Sequence, residues 1–155
     1  SIKHIAQQNL SELGIQNVFF NAFKPSYMLN PQSMWIALDE HAHYEKSYDI
    51  VFSQEPDDHQ DHALLYQTTK RVFKKESLIT YSASPLSCPS FLPNYFETLD
   101  KDNVSAKTNA LKGYSEVYKD KLYLDKDLIR ARMLVDGAVS FNKYAEGFSI
   151  KRLTC

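Results

Sequence analysis

The sequence predicts an α/β protein: three layers built on a Rossmann-like, mostly parallel sheet whose first βα unit is missing. Two observations carry that prediction. Between Asp49 and Lys75 the chain runs from an apolar β-branched segment, Ile50-Val51-Phe52, through a polar loop into a helical pattern, which is the strand–loop–helix unit of an open sheet. The chain also opens on a helical pattern that passes directly to a strand-like run, Val18-Phe19-Phe20, with no strand ahead of it to pack on.

The elements follow in order. Ile5, Ala6, Leu10 and Leu13 form one apolar stripe, so Ile2 to Leu13 reads as a helix ended by Gly14. Pro25 and Pro31 bound a loop. Met34 to Tyr44 is predicted helical, and its His41 and His43, two apart, point to different faces and make a poor metal pair. His4 and these two read best as exposed or boundary residues. After the strand at Ile50, Ser53 to Asp58 is a loop, with Asp57 or Asp58 as N-cap. Leu65, Thr69 and Val72 recur at helical spacing beyond it. Leu78 to Ser82 is a further strand, Ser82 to Pro93 a long Ser/Pro-rich loop, and Tyr95 to Leu99 another strand. Asp100 or Asp102 starts a helix through Lys119. A last long helix spans Lys126 to Tyr144, with Leu128, Ile129, Met133, Leu134, Ala138 and Phe141 inward. Phe148 to Leu153 alternates as the final strand.

Composition narrows the class. With 155 residues, 43% hydrophobic and 24% charged, the chain suffices for one domain, residues 1–155, with a real core. A net charge of −1 argues against a general nucleic-acid or anionic-membrane binder. No apolar run reaches the ~20 residues of a membrane span, and the polar start is unlike a signal peptide. Cys88 and Cys155 form no metal-type pair, so a reduced, cytoplasmic protein is expected, with a single disulfide between them as the alternative. The oligomeric state is not legible.

The chemistry concentrates at the start of the third helix. His59 and His62 lie three apart on one face, with Asp61 between them. They sit beyond the carboxyl end of a parallel strand, where open sheets place ligands. Neutral imidazole ligates transition metals, and a partner on its other nitrogen fixes the tautomer. Zinc hydrolysis needs three ligands, a water position and a carboxylate base. His59-Gln60-Asp61-His62 supplies a part of that. The bland alternative is a polar helix start whose histidines only cap and hydrogen-bond.

In its motifs the chain resembles the PIG-L/LmbE-like family of zinc-dependent N-acetylglucosaminyl de-N-acetylases. Asp57-Asp58-His59-Gln60-Asp61-His62 matches that family's Asp-x-His-x-Asp-His, after the strand Asp49 to Phe52. Phe91-Leu92-Pro93-Asn94-Tyr95-Phe96 is similar to its Phe-x-Pro-Asn-x-Phe. Lys107, Leu111 and Tyr114-Ser115-Glu116 resemble its Lys-x-x-Ala-Leu-x-x-Tyr-x-Ser-Gln, and Tyr144-Ala145-Glu146-Gly147-Phe148 its Tyr-Ala-Glu-Ala-Phe. The resemblance implies Zn2+ or another divalent metal as cofactor and an N-acetylated amino sugar or its conjugate as substrate. It implies His62 as metal ligand, His59 as acid or oxyanion stabiliser, Asp61 as the group orienting an imidazole, and Asp57 or Asp58 lining the pocket. Glu146 and Arg132 are weaker candidates, for the pocket wall or for structural ion pairs, with the structural role favoured for both. The family's first motif, His-Pro-Asp-Asp, does not precede Ile2. Glu55-Pro56-Asp57-Asp58 copies its spelling inside the second motif's loop, with Glu in place of His. The resemblance thus gives this chain only the second half of an active site, with the base and two metal ligands outside it. The competing expectation is a non-catalytic carbohydrate- or partner-binding domain derived from that fold. A nucleotide-binding Rossmann domain is disfavoured, because four glycines form no Gly-x-Gly-x-x-Gly.

Overall fold

In the computed structural model the described residues are 2–21, 23, 30–44, 48–83 and 88–154. Most of the loop before Pro31, and the middle of the Ser/Pro-rich loop, fall outside them. Five helices and four strands follow in the order α1 (Ile2–Glu12), α2 (Pro31–Tyr44), β1 (Ile50–Gln54), α3 (Gln60–Val72), β2 (Ser77–Tyr81), β3 (Tyr95–Thr98), α4 (Lys101–Val117), a 3-10 turn (Leu122–Leu124), α5 (Lys126–Val139) and β4 (Ala145–Arg152). The strand order is β1-β2-β4-β3, with β1/β2 parallel and β2/β4 antiparallel. The protein is therefore of the expected α/β class, on a mixed sheet with one parallel pair.

The chain forms two compact units. One comprises Ser1–Phe20 and Phe96–Glu146, the other Asn21–Tyr95 and Gly147–Cys155.

In the first unit α1 packs on α4 and α4 on α5. Gly14 ends α1 with φ +80: its N–H donates to the Ser11 carbonyl at 3.0 Å, and that of Ile15 to Leu10 at 2.9 Å. Both bonds of a Schellman motif are present, and only glycine meets that φ without strain. α4 starts where Asp100 and Asn103 complete a capping box, with the Asp100 side chain accepting the Asn103 N–H at 2.7 Å. Val104, Met133 and Tyr144 form the core of the unit, flanked by Leu99 and Ile129.

Two expectations fail in this unit. Val18 to Phe20 is not a strand, since a strand needs a ladder partner and the described residues give it none. Phe19 is exposed there, and the Lys3 ammonium lies over the Phe20 ring at 5.0 Å. The last helix stops at Val139, five residues early, because another Schellman motif closes it. The Asn142 N–H returns to Gly137 at 2.8 Å and that of Phe141 to Ala138 at 3.3 Å. Phe141 occupies the left-handed position at φ +59 and is 99% exposed. Leu134 and Ala138 also face outward, so the inward set is Ile129, Met133, Asp136 and Gly137. Gly137 is there because a Cβ would meet the Lys143 carbonyl oxygen at 2.7 Å.

In the second unit α2 packs on α3 and α3 on β1. Pro31 opens α2, a position where its missing N–H costs nothing. The apolar run at Ile50 predicts a buried β1. As the outermost strand of the described sheet it instead leaves Ile50 and Phe52 about half exposed, and buries Ser53 and Gln54. The reason is what faces it: the Ser53 hydroxyl donates to Thr69 Oγ1 on α3 at 3.3 Å, so the strand–helix contact is small and polar at that level. Core burial falls to β2, where Leu78 is 1% exposed. Beyond the far end of α3 the Arg152 guanidinium donates to the Phe73 and Glu76 carbonyls at 2.6 and 2.8 Å, tying β4 to the C-cap of α3 and to the turn before β2.

Candidate functional site

The site is built on the loop from β1 to α3. Glu55 anchors it at the strand end. Its N–H donates to the Tyr81 carbonyl at 2.8 Å, and its carboxylate accepts from the Thr80 hydroxyl and, at 2.8 Å, from Lys151. Glu55 is thus occupied in holding β1 to β2 and β4, which agrees with reading Glu55-Pro56-Asp57-Asp58 as a loop rather than a ligand motif. Cys88 fastens the next residue, its thiol lying 3.8 Å from the Pro56 carbonyl.

Asp57 then organises both histidines. Its side chain is wholly buried. One oxygen accepts the His59 backbone N–H at 2.8 Å, and the other lies 2.7 Å from His62 Nδ1. A carboxylate accepts, so His62 Nδ1 carries a proton, and a neutral His62 has its lone pair on Nε2. His59 has the reverse arrangement. It is the N-cap of α3, the position expected for Asp57 or Asp58, and its Nδ1 accepts the Asp61 backbone N–H at 3.2 Å. A neutral His59 therefore carries its proton on Nε2. The two rings stack at 4.7 Å with 26° between their planes.

The pair thus presents opposite faces of imidazole chemistry side by side. His62 offers an electron pair on Nε2, and His59 offers an N–H. The His62 side chain is about one-third exposed and that of His59 about half.

The remaining expected residues fall as follows. Asp61 approaches His59 Nδ1 only at 3.9 Å, so the carboxylate that orients His62 is Asp57. Asp57 and Asp58 line a hollow of about 320 Å³ together with Pro56, Cys88, Pro89 and Ser90. Burial pushes the Cys88 thiol pKa above its ordinary value, and Glu55, Asp57 and Asp58 push it the same way, against a hydrogen bond with Ser90. Glu146 pairs with Lys107, and Arg132 with Asp136 at 3.1 Å, so both are ion-pair residues of the other unit. Among the described residues no group of three His, Cys, Asp or Glu could hold a metal ion.

Sequence reasoning missed two features here. Asp57 as the carboxylate partner of His62 could have been read from its place two residues before the N-cap, where a turn brings it over the first helical turn. Gln54 is buried with its Nε2 unpartnered, and no sequence signal marks it.

No protein-family model and no curated protein matches the chain. Solved structures do. The conserved protein TT1542 from Thermus thermophilus is similar over 99% of this chain and 74% of its own, at 14% identity and a TM-score of 0.78. GalB, the 4-carboxy-2-hydroxymuconate hydratase from Pseudomonas putida KT2440, is similar over 99% and 72%, at 18% identity and a TM-score of 0.67. At such identities the likeness is one of fold: this chain has the α/β fold of these two proteins.

Proposed function

We propose that the histidine pair serves metal-dependent hydrolysis of the N-acetyl group of an amino sugar or sugar conjugate. The observation that carries this reading is the pair's opposed polarity, set by the buried Asp57 on one ring and the Asp61 N–H on the other. The motif resemblance of residues 57–62 supports it, and so does a fold found in a hydratase.

His62 fits a metal ligand: its Nδ1–H is held by a carboxylate, which fixes the ring and raises the basicity of Nε2. The described residues do not make up a full set of ligands, and His62 would supply one ligand to a divalent cation such as Zn2+. A bound cation of this kind would polarise the amide carbonyl and activate water. The chain's own residues hold and position the rest. Asp57 holds His62 in its tautomer. His59 directs Nε2–H toward the developing oxyanion or the departing amine. Asp58 and Asp57 shape the adjoining hollow.

Zinc titration by calorimetry tests the reading. Weak binding that disappears in His62→Ala and survives in His59→Ala is expected; binding unchanged in His62→Ala would contradict it. With one prepared ligand, the 155-residue chain should release no measurable acetate from an N-acetylglucosaminide. Measurable release would overturn the half-site reading. The second reading, a non-catalytic carbohydrate- or partner-binding domain, is favoured by the lack of a three-ligand group among the described residues. Such a module would be indifferent to zinc.

A further inference from the structure

A second concave site lies at the opposite end of α3, between that helix and α2. Its volume is about 640 Å³. Trp35 and Leu64 supply an apolar wall, and Gln32, Gln67, Thr68 and Arg71 supply polar groups. The Arg71 guanidinium lies over the Trp35 ring, 4.3 Å from its centroid. A guanidinium held over a ring face is partly ordered in advance, whereas a lone surface arginine must be ordered at the moment of binding.

α2 is 14 residues long and begins beside the hollow, at Pro31 and Gln32, and its end dipole favours negative charge there. Its first N–H groups are already engaged, those of Gln32 and Ser33 by Asn30, so an oxyanion falls to Arg71. Helix-end compensation explains why a basic residue stands in the last turn of α3, but it does not explain a guanidinium placed over the one indole of the chain and bordering a hollow with two carboxamides. A planar fork, amide donors and acceptors, and an aromatic wall together suit a small organic molecule that carries an oxyanion on a polar body.

We infer that the Trp35–Arg71 hollow binds a small phosphorylated or carboxylated metabolite, with the oxyanion on Arg71 and the polar body between Gln32 and Gln67. This site is separate from the histidine pair and stands whether or not the proposed hydrolysis is correct. The shared chemistry is the oxyanion.

Trp35 is the only tryptophan in the chain, so its emission reads the site directly. The full chain is titrated with inorganic phosphate, glucose 6-phosphate, gluconate and glucose, with calorimetry in parallel. A saturable emission change with glucose 6-phosphate or gluconate, tighter than with inorganic phosphate and absent with glucose, is expected. Which of the two binds more tightly decides between phosphate and carboxylate. Arg71→Gln should weaken binding at least tenfold while thermal unfolding stays nearly unchanged, and Arg71→Lys should recover only part, since an ammonium is a point charge rather than a fork. Gln67→Ala gives an independent arm and should weaken the sugar phosphate more than inorganic phosphate. Equal binding of glucose, binding unaltered in Arg71→Gln, or no saturable change or heat up to ~10 mM, well past the millimolar limit of weak specific binding, would overturn the inference.

Discussion

The two ends of α3 prepare charged or polar side chains in different ways. At the start, hydrogen bonds do it: a buried carboxylate and a backbone N–H assign each imidazole its proton. At the end, stacking does it: the Trp35 ring holds the Arg71 guanidinium. Hydrogen bonds define which atom donates and which accepts, as a reacting site requires. Stacking defines only a plane, which suits recognition of an oxyanion. On the proposed readings the start of α3 would serve chemistry and its end binding, with Thr68 and Thr69 buried in the C-terminal half of the helix.

Substitutions can separate these ends. The largest effect should come from Leu78→Ala on β2, which removes a fully buried side chain from under the whole unit. A loss of about 2–5 kcal/mol in chemical denaturation is expected, with both ends weakened together. If only one end responded, the shared scaffold would be the wrong description. Asp57→Ala should act on the start alone. It leaves His62 Nδ1–H and the His59 N–H without their acceptor, and about 1–3 kcal/mol should be lost, with Trp35 emission unchanged. His59→Ala removes an N-cap acceptor and should cost about 1 kcal/mol, against about 0.5 kcal/mol or less for the exposed Arg71→Gln. An equal or reversed ranking would show that stacking, not capping, stabilises the helix.

The smallest effect concerns Cys88. Its folded pKa is raised by burial, so its thiol form is favoured in the native state. The stability this gives is fully present below the free-thiol pKa and is lost as pH rises through the folded value. Alkylation of the native chain at pH ~8.5 should accordingly be slower than that of the unfolded chain. Equal rates would show the thiol open to solvent, and Pro56 unfastened.

The two ends also differ in how far the sequence revealed them. The start was legible because its residues are neighbours in the chain: residues 57–62 lie in one turn of loop and one turn of helix, and local spacing dictates what can touch. The end was not, since Trp35 and Arg71 meet only once α2 has packed on α3, and nothing in either segment's periodicity predicts that pairing. The same division holds for the fold. Gly14, the Asp100 cap and the β1-loop-α3 unit depend on local backbone chemistry and came through with nearly the expected bounds. Val18 to Phe20 has strand-like residues, but a strand exists only with a neighbour. The α5 end was misplaced because a Schellman turn formed with Phe141 where glycine is usual, so no residue announced it. Within the site, local spacing placed the two histidines side by side but did not show that a buried turn brings the Asp57 carboxylate to the His62 ring, while Asp61 stays 3.9 Å from His59 Nδ1.

The most direct test of the start of α3 is the protonation pattern of its two rings. Long-range proton–nitrogen spectra of the imidazoles, recorded about two pH units above the ordinary imidazole value near 6.5, report which nitrogen bears the proton. The result expected is Nδ1–H for His62 and Nε2–H for His59, with His62 alone reverting to a mixture in Asp57→Ala. Nε2–H on both rings would contradict it, because His62 would then have no proton for Asp57 and no lone pair on Nε2 to offer a metal.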